Sequence, residues 1–367
     1  MNVAYVAVAP FISGAERCLQ LILLNCKHNG IKPILITPSI SPMRAWAQQN
    51  DIKHYSCDLS LFSVKKPWLW LFSQLKMFLI FLFHKIKCVH SNQIWSYPAI
   101  VYPSALLGIK RICHFRDPID NNSNWWLKKK LHTAIFISKH IANQYYDHIP
   151  KVRANNVETI IDPVAFHQPL TVEQRLTKKS LAREKLHLDS DVFTFGFIGQ
   201  VAPVKGLFEL ITYLGKLEYQ NWQLVIAGKD PSEEQAYIKK CQQLITHLGL
   251  DKKVIFIGFI DNIRDFYLAI DVVTMFSLAE PLGLIPLEAA VNYTPSIATE
   301  VGGLPETIIN GKTGWLVNFN NEKQLIDILN LSMSVDLLTY GSNAREWVEK
   351  VSLPQVYCQK LYDLYCR

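Results

Sequence analysis

Two carboxylates, Glu280 and Glu288, punctuate the run Ser277-Leu278-Ala279-Glu280-Pro281-Leu282-Gly283-Leu284-Ile285-Pro286-Leu287-Glu288. The run follows a strand-like segment, turns through Pro281 and Gly283, and then opens a helix. A helix starting near Gly283 presents amides without intrahelical partners and the positive end of a dipole, which suits a phosphate. Gly283, Leu284 and Ile285 are the residues placed to face it. Glu280, at the carboxyl end of the strand, is placed to accept hydrogen bonds from sugar hydroxyls. Glu288, about one and a half turns into the helix, is placed to reach a ribose diol. A similar strand-to-helix turn lies upstream, Gly199-Gln200-Val201-Ala202-Pro203-Val204-Lys205-Gly206. It supplies Lys205, a compact positive charge able to neutralise a departing diphosphate. Singly, two glutamates or one lysine near a turn are ordinary surface; the turn chemistry around them is what points to a site.

Other chemistries fit less well. Gly311-Lys312-Thr313 invites a P-loop reading, but that motif needs glycine where Glu306 stands. Asp189-Ser190-Asp191 has the form of a divalent-cation site, yet it precedes its strand instead of following it, as a solvated turn would. No His/Cys set has ligand spacing, so neither a metal nor a bound cofactor is expected. No G-x-G-x-x-G follows a strand, which argues against a nicotinamide-dependent oxidoreductase.

Short β-branched runs alternate with helix-length segments, the pattern of parallel sheets covered by helices. In the first half the expected strands are 2–9, 33–37, 110–115 and 134–138. In the second half they are 192–199, 222–227, 253–257, 271–276, 296–299 and 315–317. The fold class expected is α/β, two Rossmann-like, doubly wound parallel-sheet domains. The boundaries read as an N-terminal domain over 1–170, a polar linker over 171–190, a C-terminal domain over 191–348, and a helix over 349–367 able to return to the first domain. Ligands of such sheets bind outside the strands' carboxyl ends, so two facing sheets are expected to share a cleft. The segment 67–86 stands apart: apolar, aromatic, flanked by lysines and interrupted by Lys76. It is too short to span a bilayer and reads either as a sheet-covering helix or as one lying in a membrane interface.

With 367 residues, 49% of them hydrophobic and 19% charged, the chain has ample material for two cores and excludes disorder. Its opening, Met1 to Val8, reads as a buried strand and not as a signal peptide. Eight cysteines without a C-x-x-C pair indicate reduced thiols and a cytoplasmic location. The net charge of +7 is uneven: residues 1–170 hold 19 basic against 8 acidic side chains, and the remainder 19 against 23. The excess in the first half suits either a solvated surface or an anionic partner such as a membrane or a phosphate-bearing acceptor. Nucleic acid is not expected, because no basic, aromatic-interleaved module appears.

The ordered set Gly199…Lys205-Gly206, Glu280-Pro-Leu-Gly283…Glu288-Ala289, Gly302-Gly303-Leu-Pro305-Glu306 and Gly311-Lys-Thr-Gly314 resembles the retaining glycosyltransferase family 4, of GT-B fold. The likeness is best over residues 190–320. In the first half, Ser13-Gly14-Ala15-Glu16 resembles the family's Gly-Gly-x-Glu loop, with Gly14 left to approach the donor phosphate. Ile112-Cys113-His114-Phe115-Arg116-Asp117 looks like the family's His-bearing loop beside the donor sugar. Two departures stand out: Gln200 where the family often has a diphosphate-binding arginine, and Tyr293 where it usually has glycine.

The resemblance implies a metal-independent, retaining transfer of a sugar from a nucleotide-sugar co-substrate. Glu280, His114 and Lys205 would be catalytic. Gly14, Gln200, Lys205, Glu280, Gly283, Leu284, Ile285 and Glu288 would bind the donor. The acceptor, a glycan or lipid-linked glycan, would meet the first domain near Arg116, Trp125 and Trp126, where Lys128–Lys130 suit a peripheral contact with the inner face of the plasma membrane. Assembly of cell-envelope polysaccharide or lipopolysaccharide is the implied setting. The alternative is a non-catalytic nucleotide- or glycan-binding protein of the same fold.

Overall fold

The computed structural model of the protein describes residues 1–58, 65–118, 131–148 and 154–367. They divide into two compact units, Met1–Ala165 with Val351–Arg367, and Phe166–Lys350. Each is built on one parallel sheet.

In the first unit the strands are β1 (Asn2–Val6), β2 (Lys32–Thr37), β3 (Lys53–Ser56), β4 (Cys88–Ser91), β5 (Lys110–Phe115), β6 (Leu131–Phe136) and β7 (Ala154–Thr159), in the order β3-β2-β1-β4-β5-β6-β7. The order reverses between β1 and β4, the switch point at which such sheets bind ligands. Val3 and Tyr5 of β1 share a core with Tyr357, Leu361, Leu364 and Tyr365 of the C-terminal helix Pro354–Cys366. That helix therefore covers one face of this sheet, although it is far away in sequence.

The second unit holds β8 (Phe193–Ile198), β9 (Trp222–Ala227), β10 (Val254–Gly258), β11 (Val272–Met275), β12 (Ser296–Thr299) and β13 (Gly314–Val317), in the order β10-β9-β8-β11-β12-β13. Strand β9 is buried along its whole length. Leu224 and Ile226 enter one core cluster and Val225 and Ala227 another, the period of two that marks a sheet covered on both faces. Here the switch point lies between β8 and β11.

The stretch expected as a linker, 171–190, is instead an integral helix of the second unit, Val172–Lys185. Thr171 and Gln174 form its capping box. Ala182 joins the core with Phe266, and Arg183 donates to Asp271 at 2.7 Å. The lysines and arginines that read as a solvated connector are the outward and ion-paired side of an amphipathic helix. Asp189 and Asp191 sit in the turn before β8, where the Asp191 amide donates to Asp189 Oδ1 at 3.0 Å. They lie at the opposite end of the strand from Gly199.

Candidate functional site

The site begins with the loops that leave β8 and β11, adjacent strands at the switch point. After β8 the chain passes Gln200, makes a short turn over Pro203–Lys205, and enters helix Leu207–Leu214 through Gly206 in a left-handed conformation. A Cβ on Gly206 would stand 2.0 Å from the Phe276 carbonyl oxygen at the end of β11, so only glycine lets the two loops lie this close. The Leu278 amide then donates to the Val204 carbonyl at 2.8 Å and ties the loops together. Lys205 Nζ consequently meets Glu280 Oε2 at 2.6 Å. The lysine and glutamate side chains remain 25% and 13% exposed, so the pair is open enough to be reached by a ligand.

Glu280 is held from behind by the Gly302-Gly303 turn. Gly302 has φ +58° and packs so tightly that a Cβ would stand 1.9 Å from the Glu280 carbonyl oxygen. The Gly303 amide donates to the same oxygen at 2.9 Å. Gly283 caps helix Leu284–Val291, again left-handed, and brings the Leu284 and Ile285 amides to the same end of the sheet as Lys205. Pro286 in the first turn has no N–H, so Leu284 and Ile285 carry what this terminus offers an anion. Glu288 lies further along and is half-buried, its Oε2 accepting from the Tyr267 hydroxyl at 2.8 Å. Gln200 is exposed beside the Lys205 turn. All the donor-side residues expected in the second half thus gather in the β8 and β11 loops and the helix that follows β11. Tyr267 is an addition with no local signal to find it, being one of several buried aromatics in helix Ile263–Ala269.

Tyr293 also has a physical account. It lies just past the far end of helix Leu284–Val291 in a left-handed conformation, φ +61°. Arg175 lies 4.3 Å and Arg345 5.5 Å from its ring centroid, and its hydroxyl accepts from the Leu170 amide at 3.1 Å. The residue anchors helix Val172–Lys185 to the unit, at the end of its own helix remote from Gly283.

The first unit departs from expectation. His114 lies inside β5, not in the loop after it, and is fully buried. Its Nδ1 is 3.2 Å from Arg116 Nη2; its Nε2 is 3.4 Å from the Tyr357 hydroxyl and 3.6 Å from Asp162 Oδ1. Burial, then the Arg116 charge and His90, hold its pKa well below the ordinary histidine value. Neighbouring His90, bonded to Tyr365 at 2.6 Å, is held down to about 3 by burial and Arg116. His114 is therefore a neutral core side chain under the C-terminal helix, with no exposed atom to offer a sugar.

Arg116 is likewise spent internally. It pairs with Asp162, donates from Nε to the Asn92 carbonyl at 3.1 Å, and is only 5% exposed, so it does not face an acceptor. Gly14 is exposed at the first position of helix Gly14–Asn25, where Glu16 accepts from the Ser13 amide at 3.1 Å in a capping box. Beside it stands Asp117, whose carboxyl is pushed up chiefly by burial, with the Glu16 charge adding to the rise. Trp125, Trp126 and Lys128–Lys130 lie outside the described residues.

Two doubly wound parallel sheets, the second with a lysine–glutamate pair and a helix N-terminus at its switch point, define a protein of the GT-B class. Residues 178–347, just under half of the chain, match the family Glycosyl transferases group 1. Over 218 residues it is 28% identical to an uncharacterized glycosyltransferase of Methanocaldococcus jannaschii, covering 58% of this chain and 52% of that one. Over 159 residues it is 26% identical to the lipopolysaccharide core biosynthesis mannosyltransferase LpcC of Rhizobium leguminosarum, covering 43% of each. The chain thus spans about half the length of the curated relatives it matches. Its fold is similar throughout to Anabaena HepE in complex with UDP, with a TM-score of 0.85, 19% identity and 99% of each chain covered.

Proposed function

We propose that the protein is a retaining, metal-independent glycosyltransferase that moves a hexosyl group from a nucleotide-sugar donor to a glycan acceptor. The observation that carries this reading is the Lys205–Glu280 pair at the switch point of the second sheet, beside the amides of Leu284 and Ile285. In this reading the donor diphosphate lies against Lys205 and the helix N-terminus, which stabilise the charge that develops as the anomeric C–O bond breaks. Glu280 orients the sugar hydroxyls and Glu288 the ribose. The acceptor oxygen forms its new bond to the anomeric carbon on the face the diphosphate leaves, and its proton passes to a phosphate oxygen of the departing nucleotide. No step is assigned to His114 or Arg116, since both are buried in the first unit's core.

The solved relatives in complex with UDP and UDP-glucose support a nucleotide-diphosphate sugar as donor. Relatives named for lipopolysaccharide core and capsular polysaccharide biosynthesis support an envelope glycan, carried on lipid, as acceptor, and hence a place on the cytoplasmic face of the membrane. Purified protein incubated with UDP- and GDP-hexoses and no acceptor should release nucleoside diphosphate slowly, and the same donors should raise its melting temperature. Stabilisation without release, and without transfer to any lipid-linked glycan, would leave the non-catalytic binding protein as the better description. The anomeric configuration of a product, read by NMR, tests retention.

A further inference from the structure

Helix Pro67–Phe83 of the first unit turns its uncharged polar residues inward. Ser73 and Gln74 are buried beside Met77, Ile80 and Phe81. The Ser73 hydroxyl donates to the Trp70 carbonyl at 2.8 Å, and the Gln74 amide to the Ala99 carbonyl at 3.4 Å. Outward, Trp68, Phe72, Leu75, Leu79 and Phe83 are 61%, 67%, 54%, 38% and 74% exposed. Their spacing of three and four residues puts them on one stripe. The apolar surface continues onto helix Tyr97–Leu106, which packs alongside, where Tyr102 and Leu106 are exposed and the Trp70 ring stands edge-on to Tyr102 at 5.6 Å. Water-soluble surfaces rarely carry so continuous an apolar patch without a partner for it.

The charges around the stripe say what that partner is. Exposed Asp58 lies close enough to Lys76 to feel its charge, but no aspartate or glutamate occurs between Asp58 and Asp117 in the sequence. Lys65, Lys66, Lys76, Lys85 and Lys87 are all exposed at the ends and flank of the helix. A second copy of the chain pairing through this face would set Lys76 against the same positive surface. A partner must instead accept aromatic and aliphatic side chains over the middle and offer negative charge at the margin. An anionic bilayer does both. With 17 residues the helix is roughly 25 Å long, short of the ~30 Å hydrocarbon core, and among the described residues no helix is long and apolar enough to cross a membrane.

We propose that helix Pro67–Phe83 is a docking element that lies flat in the headgroup layer of an anionic membrane, with its Trp68–Phe83 stripe among the acyl chains and its lysines against lipid phosphates. The inference rests on the helix's own residues and holds whatever sugar the protein transfers. The test is flotation of the purified protein with phosphatidylethanolamine vesicles containing roughly a third phosphatidylglycerol, near physiological salt where longer-range attraction is screened. The protein should co-float, and should not with neutral phosphatidylcholine vesicles. Phe72→Glu and Phe83→Glu, both at exposed positions, should each lower the bound fraction about tenfold or more. Both variants should keep the parent melting temperature, as well as donor hydrolysis in the absence of lipid. Lys65→Glu with Lys66→Glu should weaken binding to the anionic vesicles in the same direction. Failure of the parent protein to co-float, or equal flotation of the glutamate variants, would overturn the proposal. So would a dimer in sedimentation that Phe72→Glu dissolves, because a second copy would then be the occupant. Donor hydrolysis, assayed separately, reports on the transferase reading alone.

Discussion

Lys205 and Glu280 meet at 2.6 Å although they belong to loops that leave two different strands, β8 and β11. The meeting is enforced by backbone: Gly206 lets its loop touch the end of β11, and the Leu278–Val204 hydrogen bond closes the gap. Without a donor, each charge satisfies the other in a partly exposed setting. In the proposed reaction a bound diphosphate would offer Lys205 a second anionic partner and release a Glu280 oxygen for sugar hydroxyls.

Removing either member should therefore impair the reaction more than the fold. Lys205→Ala and Glu280→Ala should each lose about 2–4 kcal/mol of transition-state stabilisation, measured as kcat/KM with the native acceptor. Because the two residues are partners, the double variant should lose less than the sum of the single losses. Folded single variants with near-parent turnover would remove both from the mechanism.

Gly302 supports that pair from behind, so its substitution should act on both stability and turnover. At φ +58° an alanine Cβ is strained, and it would have to displace the Glu280 carbonyl from 1.9 Å. Gly302→Ala should cost about 1–3 kcal/mol in urea unfolding and lower kcat/KM as Glu280 moves. Gly311→Ala is the control: it has a similar φ of +72° but open space around its Cβ. It should show the backbone strain alone and leave turnover intact.

The convergence of Lys205, Glu280 and Gly283 in the second unit was legible because local turns set it. Glycine and proline mark where β8 and β11 end, and Glu280, Lys205 and Gly283 need only those turns to converge. The first unit was not legible in the same way. His114 falls within the strand expected over 110–115, and it and Arg116 read as site residues only through the resemblance; nothing local announces the burial imposed by Tyr357 and Asp162. Those partners come from distant segments of the chain. β4, only four residues long, and β7, a polar edge strand, left no apolar signal, whereas the charged helix Val172–Lys185 hid its core contacts behind a linker-like composition.

The buried histidines make the stability of the fold pH-dependent in a defined direction. Folding holds His90 and His114 neutral below the ordinary histidine range, while the unfolded chain takes up protons there. The stability they contribute is complete above about pH 6.5 and is lost as the pH falls, for His90 on down to about 3. Between pH 7.5 and 5 the urea midpoint should drop, with about 2 kcal/mol from His90 and a further loss in the same direction from His114. Proton NMR should show neither imidazole titrating between pH 5 and 8; titration of either one would contradict its placement in the core.

Metal independence is tested directly by transfer in excess chelator. The only Asp-x-Asp that is spaced for a divalent ion lies in the turn before β8, away from Lys205, with the Asp189 carboxylate already accepting from the Asp191 amide. The rate should remain near that of the untreated enzyme, with Lys205 and the Leu284 and Ile285 amides supplying the electrostatic role. Complete loss that is restored by a divalent ion would assign that role to a metal.

Tyr293 lies at the end of helix Leu284–Val291 remote from the proposed donor site, where it anchors the unit. The helix is eight residues and roughly 12 Å long, and Tyr293 lies beyond its far end. Replacing it by glycine relieves a left-handed backbone worth about 1 kcal/mol. The change also removes the ring between Arg175 and Arg345 and the acceptor for the Leu170 amide. Two partly desolvated cation–π contacts and one hydrogen bond outweigh the strain, so Tyr293→Gly should lower stability by about 1–2 kcal/mol net. Donor KM and donor preference should not change, because no group at the phosphate end moves. A shift in either, with the variant folded at assay temperature, would show that this end of the helix also shapes donor choice.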